Sequence, residues 1–289
     1  MSNKSNKYNT AEAFKQALIS NLQRISKVEN KSIEIFLYKV VFERFLARVF
    51  QNKNDNWVVK GAYSLELRYK DTNISRVTKD IDFVLRKMKT LDENKIWDML
   101  KDISKIDLGD WLLFEVLAPH KELTLPTYGG WRFPVIAKIG NKEFKRFNID
   151  VIVGDNFISE PEWVTGNELL SFAGIEPPQI AIIPLGKQFA EKIHAYTNPQ
   201  IVNNSRVKDL VDLVIYIDQG LPKNKILKEE IANTFKVRKT HDIPKVLLKP
   251  ADDWEKPYIN LANEWGASKK TIKEAFKYLS GLWGKLYSN

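Results

Sequence analysis

The first residues with chemistry to explain are Asp80 and Asp82, which flank Ile81 in "TKDIDFVL". A strand turns residues i and i+2 to one face. The two carboxylates then share a face, about 7 Å apart at Cα by the strand rise, while Ile81 and Phe83 point into a core. Carboxylates this close repel one another unless a cation lies between them. Mg²⁺ (or Mn²⁺) suits the place, because hard cations take oxygen ligands and Mg²⁺ commonly uses one or two carboxylates plus substrate phosphates. "FNIDVIV" repeats the pattern, with Phe147, Ile149, Val151 and Val153 on one face and Asn148 and Asp150 on the other. Asp150 supplies a third metal ligand if the two strands are neighbours. Three carboxylates and two ions suit in-line phosphoryl or nucleotidyl transfer, one ion activating the attacking hydroxyl and the other neutralising the leaving pyrophosphate.

Upstream, "WVVKGAYSLELRY" reads as an apolar strand, a turn at Gly61 and a short amphipathic helix. A strand–Gly–helix junction presents backbone N–H groups and the positive end of a helix dipole, an anion site able to hold a triphosphate. Each feature alone has an ordinary reading: a Gly before a helix is usually a turn, and a DxD triplet is usually a solvated strand edge. Their order and spacing carry the argument.

The elements that must position these groups follow from periodicity. Phe14, Leu18 and Leu22 predict a helix over Ala11 to Ser26. Ser32 caps a second, bearing Ile33, Phe36, Leu37, Val40, Val41, Phe45 and Val49. A helix is expected near Leu91 to Ile103, then strands over Leu112 to Leu117, Trp131 to Ile139 and Phe144 to Val153. "EPPQIAIIP" punctuates the chain between Pro177 and Pro184. From Leu185 onward the pattern is helical. "RVKDLVDLVIYID" places Leu210, Leu213, Val214 and Ile217 on one face, and a last helix from about Ser268 stacks Ile272, Ala275, Phe276, Leu279, Leu282, Trp283 and Leu286. The expected fold is α+β: a mixed β-sheet core flanked by helices, with a helical C-terminal region. The organisation reads as N-terminal helices over 1–56, a core over 57–184 and a helical domain over 185–289.

Composition is that of a globular protein, 44% hydrophobic and 28% charged. Cysteine is absent, which excludes disulfides and thiolate-bound zinc and agrees with a cytoplasmic setting. No run of about 18 uncharged apolar residues predicts a membrane helix, and "MSNKSNKYNT" lacks the apolar centre of a signal peptide. Net charge is +9. From Leu221 to Asn289 there are 14 Lys/Arg against 8 Asp/Glu, densest at Lys236, Arg238 and Lys239 in "FKVRKTHD". Such a region suits a polyanionic partner or simply a solvated surface.

With "VVKGAYSLELRY…SRVTKDIDFVL", "FNIDVIV" and "PLGKQFAEKIHAY…SRVKDLVDLVIY" taken together, the chain resembles the AbiEii/AbiGii-type toxin nucleotidyltransferases, within the DNA polymerase β-like superfamily. The likeness runs from the second helix to about Pro257. It implies a nucleotidyltransferase core with Asp80 and Asp82 as metal ligands and the Gly61 turn, with Ala62 and Ser64, at the NTP triphosphate. It implies that Lys192 contacts the triphosphate and that Asp209 belongs to the catalytic site, the helical domain completing the cleft. A flexible ammonium suits a phosphate, and Gln188 lies one helical turn from Lys192. Arg206 and Asp209 are i, i+3 neighbours, so Asp209 can orient Arg206 or a substrate group; an ordinary helix-surface pair, like Lys208 with Asp212, is the plain reading. His194 reads as packing or cleft lining. The chain departs from the family at the turn, where Gly61-Ala62-Tyr63 stands in place of two glycines and a hydroxyl residue. The resemblance further implies an RNA acceptor, tRNA favoured, and a cognate antitoxin in a toxin–antitoxin or phage-defence pair.

Two other readings are open. A metal nuclease could use Glu143-Phe144-Lys145 with an upstream acid, but it leaves Gly61, Lys192 and Asp209 without a role. A non-catalytic nucleic-acid-binding protein accounts for the basic region, but gains nothing from clustered carboxylates.

Overall fold

A computed structural model describes residues 7–53, 55–70, 78–86, 92–124, 129–153, 160–199 and 206–287, with backbone only at 121–124. The Ser75–Val77 portion of the quoted motif and a helix start at Leu91 lie outside the described residues. The chain divides into two compact units. The first holds the described residues up to Arg68, those from 78 to 153, and Pro161–Ile182; the second holds Tyr69, Lys70, Glu160 and everything described from Ile183 on.

In the first unit two helices precede the sheet, α1 (Ala11–Glu29) and α2 (Ile33–Val49). The Thr10 and Ser32 side chains cap them, accepting from Ala13 N and Glu34 N. α2 is buried almost all round, so its buried cations are paired inside the protein. Arg44 and Arg48 both bind Asp110, at 2.7 and 2.9 Å, and Lys39 meets Glu66 at 3.0 Å.

The sheet contains β1 (Trp57–Lys60), β2 (Asp80–Leu85), β3 (Leu112–Val116), β4 (Lys121–Thr124), β5 (Gly129–Ile139), β6 (Lys142–Val153), β7 (Glu162–Thr165) and β8 (Gln179–Ile182). Its order is β3-β5-β6-β2-β1-β8-β7, with β4 also paired to β5. β2 runs parallel to β6 and β1 parallel to β8; the other pairings are antiparallel. α3 (Gly61–Arg68) follows β1 directly and α4 (Glu93–Ser104) follows β2. The mixed sheet flanked by helices agrees with the sequence expectation. "PQIAIIP" is more than punctuation: Ile180, Ala181 and Ile182 are fully buried in β8, as expected of an interior strand paired on both sides. Periodicity missed β4 and β7, each of four residues, too short to show a pattern.

The second unit is helical: α5 (Leu185–Thr197), α6 (Val207–Asp218), α7 (Asn224–Arg238), α8 (Glu255–Glu264) and α9 (Ile272–Tyr287). α9 starts four residues later than Ser268 and buries Ala275, Leu279, Trp283 and Leu286. α6 was expected to bury one face. Instead it packs against α5, α8 and α9, so Val211, Ile215, Tyr216 and even Asp212 are buried too. Among the described residues no helix is long and apolar enough to cross a membrane.

Candidate active site

The parallel pairing of β2 with β6 brings the three carboxylates of the first unit together. Asp80 stands opposite Asn148, and Asp82 opposite Asp150. β5 adds Arg132 opposite Asp150, and β1 adds Lys60 opposite Asp82. One row across four strands therefore reads Arg132, Asp150, Asp82, Lys60, two cations enclosing two carboxylates. Asp80 sits one pleat along β2 on the same face, its Oδ1 accepting from Asn148 Nδ2 at 2.9 Å.

Arg132 holds Asp150 by both oxygens. Its Nε donates to Oδ1 and its Nη2 to Oδ2, each at 2.7 Å. The same Nη2 lies 3.6 Å from Asp80 Oδ2. The hydrogen bond to Asp150, helped by the charges of Asp80 and Asp82, raises the Arg132 pKa further above its ordinary value. Sequence reasoning passed over Arg132. Its only signal there is its polar place between Trp131 and Phe133, and the register that makes it a partner is not written in any one strand.

Gly61 is tied to the carboxylates by contact. Its φ of 68° is left-handed, and a Cβ at this position would lie 2.0 Å from Asp82 Oδ2. The site therefore requires glycine for backbone conformation and for space. Ala62, half-buried, opens the helix after it. Ser64 is fully buried and donates its hydroxyl to the Gly61 carbonyl at 2.9 Å, which stiffens the turn from inside. Tyr63, where the family pattern has a small hydroxyl residue, belongs to the core. It packs edge-on against Phe42, and its hydroxyl donates to Glu43 Oε1 at 3.2 Å. Glu43 also accepts from the Asn167 backbone N–H, 2.9 Å from Oε2, and from the Asn167 side-chain amide. Burial pushes the Glu43 carboxyl up to about 7, against the lowering effect of these bonds and of Lys39.

The donor set can be tested for a divalent ion. Asp80 and Asp82 present carboxylate oxygens on one face one residue apart, which fits Mg²⁺ or Mn²⁺ completed by water and phosphate oxygens. Asp150 shares both its oxygens with Arg132, a fixed cation beside any ion it would hold. Among the described residues no group of three or more His, Cys, Asp or Glu side chains is arranged to enclose a metal. Glu143 and Lys145 do not join this cluster. Glu143 pairs with Arg146 at 2.7 Å and Lys145 with Glu34, and Glu143 stands five residues before Asn148, about 17 Å along the strand.

In the second unit Lys192 lies between two acids of α6. Its Nζ is 2.7 Å from Asp209 Oδ1 and 3.0 Å from Asp212 Oδ2. Arg206 Nη1 binds the other Asp209 oxygen at 3.0 Å. The four charges balance. Asp212 was expected to pair on the surface with Lys208; it is instead fully buried against Lys192, because α6 has helices on several sides. Gln188 is buried on the same helix as Lys192. His194 packs as expected, edge-on to Phe235 and beside His241, with the Thr240 hydroxyl between the two rings. Lys236 and Lys239 line a pocket of ≈ 520 Å³ together with Thr240 and His241, whereas Arg238 turns toward Glu191 at 3.7 Å.

A family profile described as nucleotidyl transferase AbiEii toxin, type IV toxin–antitoxin system, matches residues 44–278. Among solved structures the chain is similar to MenT4, a nucleotidyltransferase toxin from Mycobacterium tuberculosis H37Rv. The TM-score is 0.54 at 14% identity, over 92% of this chain and 99% of that one, a likeness of fold. No curated protein sequence matches the chain significantly.

Proposed function

Because the chain belongs to the AbiEii nucleotidyl transferase toxin family of type IV toxin–antitoxin systems, we propose that this nucleotidyltransferase moves a nucleoside monophosphate from an NTP to an RNA acceptor, tRNA first, with a divalent ion on Asp80 and Asp82. The observation that carries this reading is the shared face of Asp80 and Asp82 directly against the Gly61 turn.

In the transfer an acceptor hydroxyl oxygen bonds to the α-phosphorus, the bond from that phosphorus to the α,β-bridging oxygen breaks, pyrophosphate leaves, and the hydroxyl proton is released. A bound Mg²⁺ or Mn²⁺ would lower the pKa of the attacking hydroxyl and neutralise charge on the leaving group. Asp80 and Asp82 would hold that ion. Asn148 fixes the Asp80 carboxylate, and Gly61 keeps room for that of Asp82. The turn and the first N–H groups of α3 receive phosphate oxygens. Lys192 contributes an ammonium for the triphosphate, aimed by Asp209 and Asp212, with Arg206 as a second cation held by Asp209. The exposed Lys236 and Lys239 suit the RNA backbone. The protein acts in the cytoplasm as the toxin of a toxin–antitoxin or phage-defence pair, opposed by a cognate antitoxin.

The test is incubation of the full chain with each α-labelled NTP, Mg²⁺ and total cellular RNA. One NTP should label a tRNA-sized band, and Asp80→Ala and Asp82→Ala should label nothing. Label on protein alone would replace the RNA acceptor by a protein one. No label with any NTP, or RNA cleavage without NTP, would sink the transfer reading.

A further inference from the structure

We propose that Arg132 is the built-in cation of the carboxylate face and receives a substrate phosphate, and that Asp150 is its clamp and not a metal ligand. The inference rests on the nucleotidyl-transfer reading above and assigns parts within it.

The geometry carries it. Both Asp150 oxygens accept from one guanidinium edge at 2.7 Å, and although each keeps a second lone pair, the fixed cation beside them opposes a metal ion there. Such a two-bond, charge-assisted pair is among the stronger side-chain contacts, and Asp150 is largely buried, so water competes for it poorly. An ion taking Asp150 would share these oxygens with Arg132 and lie against its charge. Arg132 in turn is fixed by Nε and Nη2, and Nη1 has no partner among the described residues. The side chain is 27% exposed. A planar guanidinium held by one edge presents its other edge in a set direction, which a lysine ammonium on a flexible stem does not.

Charge gives the same answer. Asp80, Asp82 and Asp150 carry three negative charges, and Arg132 and Lys60 set two positive ones beside them in the same row. One divalent ion more than offsets the remaining negative charge, and Arg132 stands 3.6 Å from Asp80. A second ion beside it would face a fixed cation in place of an open carboxylate. The free guanidinium edge, beside the ion's carboxylates, matches a phosphate oxygen of the NTP.

The test removes the pair without changing net charge. Mn²⁺ alone, and separately a non-hydrolysable NTP without metal, are titrated calorimetrically into the full chain: wild type, Asp82→Ala, Arg132→Lys, and the double variant Arg132→Gln/Asp150→Asn. The double variant should bind Mn²⁺ within about threefold of wild type, while Asp82→Ala loses at least about tenfold. The double variant should also bind the NTP analogue about tenfold more weakly, the scale of one charge-assisted hydrogen bond, with Arg132→Lys between it and wild type. If the double variant loses Mn²⁺ as far as Asp82→Ala does, Asp150 is a ligand and the proposal fails. Wild-type affinity for the analogue in the double variant or in Arg132→Lys overturns the phosphate role. Urea unfolding checks the fold, and if the double variant does not fold, Arg132→Lys decides: unchanged Mn²⁺ with weakened analogue supports the proposal, and the reverse overturns it. A wild type that binds both ligands yet labels no acceptor ends the transfer reading alone, because the binding comparison still decides the clamp.

Discussion

Gly61→Ala separates two costs that most glycine substitutions mix. The first is conformational: φ is 68°, and an L-residue there loses roughly 1–2 kcal/mol. The second is steric, since the new Cβ falls 2.0 Å from Asp82 Oδ2 and 2.9 Å from its Cγ. Forcing a packed group aside typically costs about 1–3 kcal/mol. The same unit contains the control for the first cost alone, because Gly109 has φ of 63° and nothing within 4 Å of an added Cβ. Urea unfolding should then show Gly109→Ala down by about 1–2 kcal/mol and Gly61→Ala down by about 2–5 kcal/mol. In an Asp82→Ala background the carboxylate is gone, and Gly61→Ala should fall back to the Gly109→Ala value. Nucleotide transfer in Gly61→Ala should drop about 100-fold, since displacing a reacting group by an ångström has that effect. Equal destabilisation by Gly61→Ala and Gly109→Ala, or strict additivity with Asp82→Ala, would refute the claim that the turn and the carboxylate are one constructed contact.

Two further outcomes follow from buried charge. Lys192→Ala leaves Asp209 and Asp212 as neighbouring carboxylates with one cation fewer, and breaking such a buried pair costs about 3–5 kcal/mol; adding Asp212→Asn should return part of it, and a wild-type urea midpoint in Lys192→Ala would show that Lys192 is not their counter-ion. Glu43 has its carboxyl raised to about 7, so the folded chain binds its proton more tightly than the unfolded one, and stability from this group is present below the unfolded value near 4.5 and lost as pH rises through 7. The stability difference between wild type and Glu43→Gln should therefore change by about 3 kcal/mol between pH 4.5 and pH 8, with wild type the poorer at the higher pH; a difference constant across that range contradicts the buried-acid assignment.

Much of the architecture is legible because it is local. Ser32 before an apolar run caps α2, and the alternation in "FNIDVIV" gives β6 its two faces. The short edge strand β7 has no such signature, since four residues carry too few alternations, and the central position of α6 erased the one-sided pattern that its sequence suggested. Burial from several sides is a property of neighbours. For that reason Asp212 reads as a surface residue and lies at the core of its unit.

The candidate site shows the same division at finer grain. Asp80 and Asp82 are legible because their relation is fixed by a two-residue period within one strand. That Asp150 stands opposite Asp82 needs the register of a parallel pair 68 residues apart in sequence, set by how Ile81, Phe83, Ile149 and Val151 bury together. Arg132 needs a second register, of β5 on β6, before its charge means anything. Each such step converts residues that look dispensable in isolation into partners. Tyr63 takes its place in the same way: it faces Glu43 and the core, away from the Gly61 turn. What the turn cannot tolerate is a side chain at Gly61 itself, where the chain's own carboxylate already fills the space.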